Sequence, residues 1–136
     1  MALSRRLLVC SILLLSCLCK QALLQRLPGG LTEASLEDPG VRRALQFAIN
    51  EYNRASNDMY SSRVSEVVRV QTQVVSGLKY YFTVKVGRTV CRKGVSDLEN
   101  CALHEGPNLA KTMTCNFEVY SIPWMNSISL QKSNCA

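Results

Sequence analysis

Gln73-Val74-Val75-Ser76-Gly77-Leu78-Lys79-Tyr80-Tyr81-Phe82-Thr83-Val84-Lys85-Val86 is the stretch that decides the fold. From Leu78 onward, Leu78, Tyr80, Phe82, Val84 and Val86 alternate with Lys79, Tyr81, Thr83 and Lys85. That period of two belongs to an antiparallel strand with one buried face. A valine-rich run, residues 63–75, precedes it, and Ser76-Gly77 separates the two. Glycine supplies the positive φ that a tight reversal needs. Residues 63–75 and 78–90 are therefore predicted to form a long hairpin, with residues 73–77 at its tip.

Upstream of the hairpin the period changes. Asp38-Pro39 is a helix start, with Asp as N-cap and Pro at the first helical position. Val41, Ala44, Leu45, Ala48, Ile49, Tyr52 and Ala55 then recur at helical spacing and predict one long amphipathic helix. The cluster Ser56-Asn57-Asp58 should end it. Residues 20–37 read as a leader, broken by Pro28-Gly29-Gly30. Downstream, residues 92–110 lack a period and read as a connecting loop. Residues 113–121 alternate again, with Cys115, Phe117 and Val119 on one side, and a last strand spans 127–134. Pro123 interrupts them, because proline cannot sit in a central strand. One helix followed by four or more antiparallel strands is an α+β pattern with the sheet packed on the helix.

The N-terminus reads as a signal peptide over residues 1–19. Arg5 and Arg6 precede a short apolar run, residues 7–18, which is too short to span a bilayer. Residues 20–136 then form a single domain, expected to be secreted, extracellular and free of the membrane. Of the 7 cysteines, three (Cys10, Cys17, Cys19) fall inside the signal. The four that remain, Cys91, Cys101, Cys115 and Cys135, suggest two disulfides in an oxidising compartment. Three pairings are formally open, and the sequential one closes two local loops. The formal charge of +6 is spread along the chain without a basic run, so a nucleic-acid partner has no support.

No catalytic set is evident. His104 is the only histidine and reads as a solvated loop residue. The cysteines are better used as bridges, and no nucleophile elbow or phosphate-cradling loop occurs. No metal site is expected either, because there is no Cys-x-x-Cys pair and no second histidine. No cofactor is implied, and an enzyme is not expected. What stands out is the placement of apolar residues at chain reversals: Leu27 beside Gly29, Val74-Val75 beside Gly77, and Trp124 after Pro123. Such residues on turns held by a rigid scaffold are binding-site candidates.

These residues resemble a known family. Gln73-Val74-Val75-Ser76-Gly77 fits the Gln-x-Val-x-Gly motif of the cystatins, Pro123-Trp124 fits their second hairpin, and Gly29 fits their N-terminal glycine. The four cysteines behind a signal resemble the type 2 (secreted) cystatins. Arg42-Arg43-Ala44-Leu45-Gln46-Phe47-Ala48 and the residues up to Tyr60 are similar to the helix of cystatin C and egg-white cystatin. The resemblance covers roughly residues 26–136 and implies one long helix packed on a five-stranded antiparallel sheet, with sequential disulfides.

The resemblance also implies a reversible, tight-binding inhibitor of papain-like cysteine proteases such as cathepsins B, H, L and S. Leu27 and Pro28 would enter the substrate-side pockets, and Gly29 would let the chain bend away from the catalytic thiol. Residues 73–77 would block the catalytic centre, and Pro123 and Trp124 would cover the leaving-group side. Pro28 departs from cystatin C, which carries an aliphatic residue there. Asn57 matches the asparagine through which some type 2 cystatins inhibit legumain, an asparagine-specific endopeptidase. A monomer is expected, with a domain-swapped dimer hinged at residues 73–77 as its alternative state. The rival reading is a secreted cystatin-fold binding module without protease inhibition.

Overall fold

The computed structural model of the protein describes residues 29–107 and 110–136. The assigned signal, Leu27 and Pro28 lie outside them. Five strands form one sheet in the order β1-β2-β3-β4-β5, each antiparallel to its neighbour. They are β1 (Thr32–Glu33), β2 (Tyr60–Val75), β3 (Gly77–Arg92), β4 (Thr112–Ile122) and β5 (Ser127–Cys135). The helix α1 (Pro39–Ala55) packs across one face. Among the described residues no helix is long and apolar enough to cross a membrane.

The helix begins where its cap dictates. The Asp38 carboxylate accepts from the Gly40 N–H at 2.8 Å, and Pro39 occupies the first turn. Val41, Ala44, Leu45, Ala48 and Ile49 are buried along the predicted face. They pack on Tyr80, Phe82, Val84 and Val86 of β3 and Cys115, Phe117 and Val119 of β4. The Tyr52 ring meets the edge of Phe117 at 6.2 Å between centroids. Truncating Phe117 to alanine would cost on the order of 3–5 kcal/mol, the range for emptying a core aromatic site. Both sequential disulfides are formed: Cys91–Cys101 ties off the end of β3, and Cys115–Cys135 joins paired residues of β4 and β5.

Several expectations need correction. Ala55 is exposed and does not extend the apolar face. The leader contains β1, whose Thr32 and Glu33 pair with Thr72 and Gln71 of β2. β2 starts at Tyr60 rather than residue 63, because Ser61 and Ser62 are buried through hydrogen bonds rather than apolar packing. The Ser62 N–H donates to Asn53 Oδ1, and Asn53 Nδ2 donates back to the Ser62 carbonyl, both at 2.8 Å. The loop after β3 carries a short 3-10 turn, Leu98–Asn100, and a bridge from Leu103 to Thr89. His104 is not solvated but half-buried: its backbone N–H donates to the Arg88 carbonyl, and its ring stands edge-on to Tyr60 at 4.6 Å. The β2–β3 ladder slips register three times, between Tyr60 and Ser62, Val64 and Glu66, and Val67 and Arg69.

Candidate functional site

Three separate stretches of chain meet at one end of the sheet. The hairpin reverses at Ser76, with Val75 paired to Gly77. Gly77 has φ +119°, and a Cβ there would lie 2.6 Å from the Ser121 carbonyl oxygen of β4. Only glycine permits both that backbone and that approach. The turn is braced from behind, because the Tyr120 hydroxyl donates to the Ser76 carbonyl. Gln73 is tied on both sides. Its Nε2 donates to the Gly29 carbonyl at 3.2 Å, and its Oε1 accepts from the Tyr81 hydroxyl at 3.0 Å. Gly29 itself runs against Val74, where a Cβ would sit 3.3 Å from the Val74 carbonyl oxygen.

The segment after Gly29 is pinned further along. Glu33 accepts from Arg69 at 2.7 Å and 3.0 Å and from Gln71 Nε2 at 3.2 Å. The Arg69 hydrogen bond outweighs burial and holds the Glu33 carboxyl below the usual glutamate range. On the other flank, Pro123–Met125 form a 3-10 turn closed by Asn126 in the left-handed region, φ 50°. The tip and the Pro123–Met125 turn present unburied apolar side chains: Val74 at 64 % exposure, Val75 at 39 %, Trp124 at 72 % and Met125 at 67 %. Trp124 does not fold back onto the sheet.

Asn57 lies at the opposite end, in the loop between α1 and β2, and its side chain is exposed. Its neighbours are fixed. The Asp58 N–H donates to Ser56 Oγ at 3.1 Å, and Asp58 Oδ1 accepts from the Tyr60 N–H at 3.0 Å. Arg88 donates to Asp58 Oδ2 through Nε at 2.7 Å and Nη2 at 2.6 Å. Burial pushes the Asp58 carboxyl up, but the Tyr60 N–H and Arg88 together bring it below its ordinary value. Lys93 donates to the Ser56 carbonyl.

The sequence matches the cystatin domain over residues 29–124, a span that holds Gly29, the tip and Trp124. The chain belongs to the cystatin family. It is 74 % identical to cystatin-2 of Crotalus adamanteus over 135 residues, covering 99 % of each chain. It is 51 % identical to cystatin-C of Saimiri sciureus over 110 residues, covering 81 % of this chain and 75 % of the relative. Among solved structures, dimeric human cystatin F superposes with a TM-score of 0.71 at 32 % identity, covering 82 % and 90 % of the two chains. Cystatins inhibit papain-like cysteine proteases and are not enzymes. Like its cystatin-2 and cystatin-C relatives, this cystatin is secreted and extracellular.

In this cystatin, Gly29, residues 73–77, Pro123 and Trp124 come together at one end of the sheet, while Asn57 stands apart. Among the described residues no group of three His, Cys, Asp or Glu side chains could hold a metal. Three participants escaped the sequence reading. Tyr81 and Tyr120 sit on the outward-facing positions of alternating strands and look like ordinary surface tyrosines, yet their hydroxyls brace the tip. Met125 drew no notice beside Trp124, and only its exposure marks it.

Proposed function

We propose that this chain is a reversible, tight-binding inhibitor of papain-like cysteine proteases, cathepsins B, H, L and S among them, acting as a preformed wedge. The single observation that carries the reading is the convergence of Gly29, residues 73–77 and the Pro123–Met125 turn at one end of the sheet. Leu27 and Pro28 fill substrate-side pockets, and Gly29 turns the chain away from the catalytic thiol. Val74, Val75 and Ser76 at the tip cover the catalytic centre, and Pro123 with Trp124 covers the leaving-group side. The inhibitor supplies no chemistry. Its hairpin tip is already braced by Tyr81 and Tyr120, so little ordering entropy opposes binding there, which favours affinity. Residues 1–19 are removed as a signal peptide. The working form is the monomer, since a dimer exchanging strands through residues 73–77 would straighten the tip.

The test is a fluorogenic papain assay with the refolded mature protein. Stoichiometric inhibition is expected, and no inhibition at micromolar concentration would favour a cystatin-fold binding module without inhibitory activity.

A second site for legumain is supported by the Asn57 loop. The asparagine is exposed while both neighbours are locked by hydrogen bonds, the arrangement of a substrate-like residue held for capture. Asn57→Lys should abolish inhibition of legumain and leave papain inhibition intact. Equal legumain inhibition by both proteins would remove Asn57 from the site.

A further inference from the structure

Three methionines lie among the described residues, and their surroundings differ. Met113 packs against the core. Met59 and Met125 are 58 % and 67 % exposed, at opposite ends of the molecule. Met59 follows the Asn57 loop. Met125 is the last residue of the 3-10 turn that carries Trp124, and the turn ends on Asn126 in the left-handed region. Its thioether therefore adds to the unburied apolar side chains of Val74, Val75 and Trp124 and stays open to solutes.

We propose that Met125 is an oxidation site through which peroxides weaken the protease-binding edge. The inference rests on the wedge reading above. A methionine sulfur gives an electron pair to the terminal oxygen of a hydroperoxide. The O–O bond breaks, an S–O bond forms, and the hydroxyl proton of the transferred oxygen passes to the departing oxygen, which leaves as water or an alcohol. The sulfur is oxidised by two electrons and the peroxide is reduced by two. The product carries a strong acceptor oxygen on what had been an apolar, adaptable side chain. On the free inhibitor that oxygen is solvated. Pressed against a protease beside Trp124 it must be stripped of water, and an unpartnered polar group in a dry interface opposes binding. The change is chemically reversible by methionine sulfoxide reductases, which gives the test a restoring arm. Met59 undergoes the same chemistry at the far end and provides an internal control, since it lies away from the wedge.

The experiment treats the mature wild-type protein, Met125→Leu and Met59→Leu with hydrogen peroxide, maps sulfoxides by peptide mass spectrometry, and titrates papain with each sample against its own untreated counterpart. Wild type and Met59→Leu should each lose inhibition by roughly tenfold in the inhibition constant, the scale set by an unpaired polar group at an interface. Met125→Leu should lose nothing on treatment. A sulfoxide reductase should restore the treated wild type. The proposal is overturned if wild type with Met125 fully converted inhibits as well as before, or if Met125→Leu declines as much as wild type. If untreated wild type does not inhibit papain at all, the wedge reading fails and takes the oxidation site's role with it, an outcome distinct from intact inhibition that peroxide leaves unchanged.

Discussion

Replacing Gly77 by alanine tests the geometry of the tip at its most constrained point. Two separate penalties apply. At φ +119° an L-residue is strained by about 1–3 kcal/mol. The new Cβ also meets the Ser121 carbonyl oxygen at 2.6 Å, a separation that real Cβ atoms do not adopt. That oxygen belongs to the backbone of β4, and Leu78 pairs with Ser121 there, so relief requires opening the last rungs of the β3–β4 ladder. Each lost hydrogen bond adds about 1 kcal/mol. The sum is about 3 kcal/mol, which lowers the melting temperature by on the order of 10 °C for a domain of this size.

The controls come from the same molecule. Gly94 has φ +91°, and a Cβ added there would have nothing within 4 Å, so Gly94→Ala carries strain without collision. Gly30 has neither a positive φ nor a neighbour within 4 Å, so Gly30→Ala should change stability by less than about 0.5 kcal/mol. Thermal unfolding by circular dichroism should rank the losses Gly77 above Gly94 above Gly30. Papain titration should show weakened inhibition for Gly77→Ala and unchanged inhibition for Gly94→Ala. If Gly77→Ala melts and inhibits as wild type does, or if Gly94→Ala is equally destabilising, the steric account of the tip is wrong.

Trp124→Ala should leave the melting temperature within a degree or so, because the ring touches little of its own protein. It should weaken papain inhibition by roughly 2–4 kcal/mol if the ring is a binding hot spot, and an unchanged inhibition constant would remove it from the interface. Pro28→Val restores a backbone N–H for pairing with an extended protease strand and should strengthen inhibition of cathepsin L-like enzymes, as read from inhibition constants. Asp58→Asn concerns pH. The Asp58 carboxyl lies below its ordinary 3.8 in the folded protein, so its charge stabilises the fold above that pH, and the contribution disappears as pH falls through the folded value. The variant should be about 2 kcal/mol less stable at neutral pH, the scale of hydrogen bonds to a charged group, and the gap to wild type should close in acid. Parallel denaturation curves with a constant gap down to strong acid would contradict this.

Where packing follows a simple period, the residues alone reveal the structure. Tyr80, Phe82, Val84 and Val86 alternate because one face of β3 lies on the helix, and Asp38-Pro39 marks the helix start because a cap and a fixed φ are local properties. Ser61 and Ser62 escape such a reading. They are buried by hydrogen bonds to Arg92 and Asn53, partners distant in sequence, and polar residues at a strand start carry no periodic mark. β1 is two residues long and exists only because Gln71, Thr72 and Val70 offer it an edge. The candidate site divides in the same way. Gly77 and Trp124 are conspicuous by residue type. The bracing of Gln73 by Tyr81, and of Ser76 by Tyr120, depends on strand register, which no local pattern contains.

The register slips along β2 bear on how this protein avoids its own kind. β1 and the Ala34 N–H that follows it cover β2 only from Val70 to Thr72, which leaves the rest of the outer rim of a valine-rich strand without a strand partner among the described residues. A flat rim of that composition would be a template for stacking copies into fibres. The ladder is instead interrupted three times before Val70, and at the last interruption Val68 is turned out to 54 % exposure. At two of the interruptions the extra residue, Ser65 or Val68, lies on β2 itself, and a second chain laid along that rim would lose step with its donors and acceptors there. The extra residues on β2 thus make its rim a poor template for in-register pairing with a second copy of the chain.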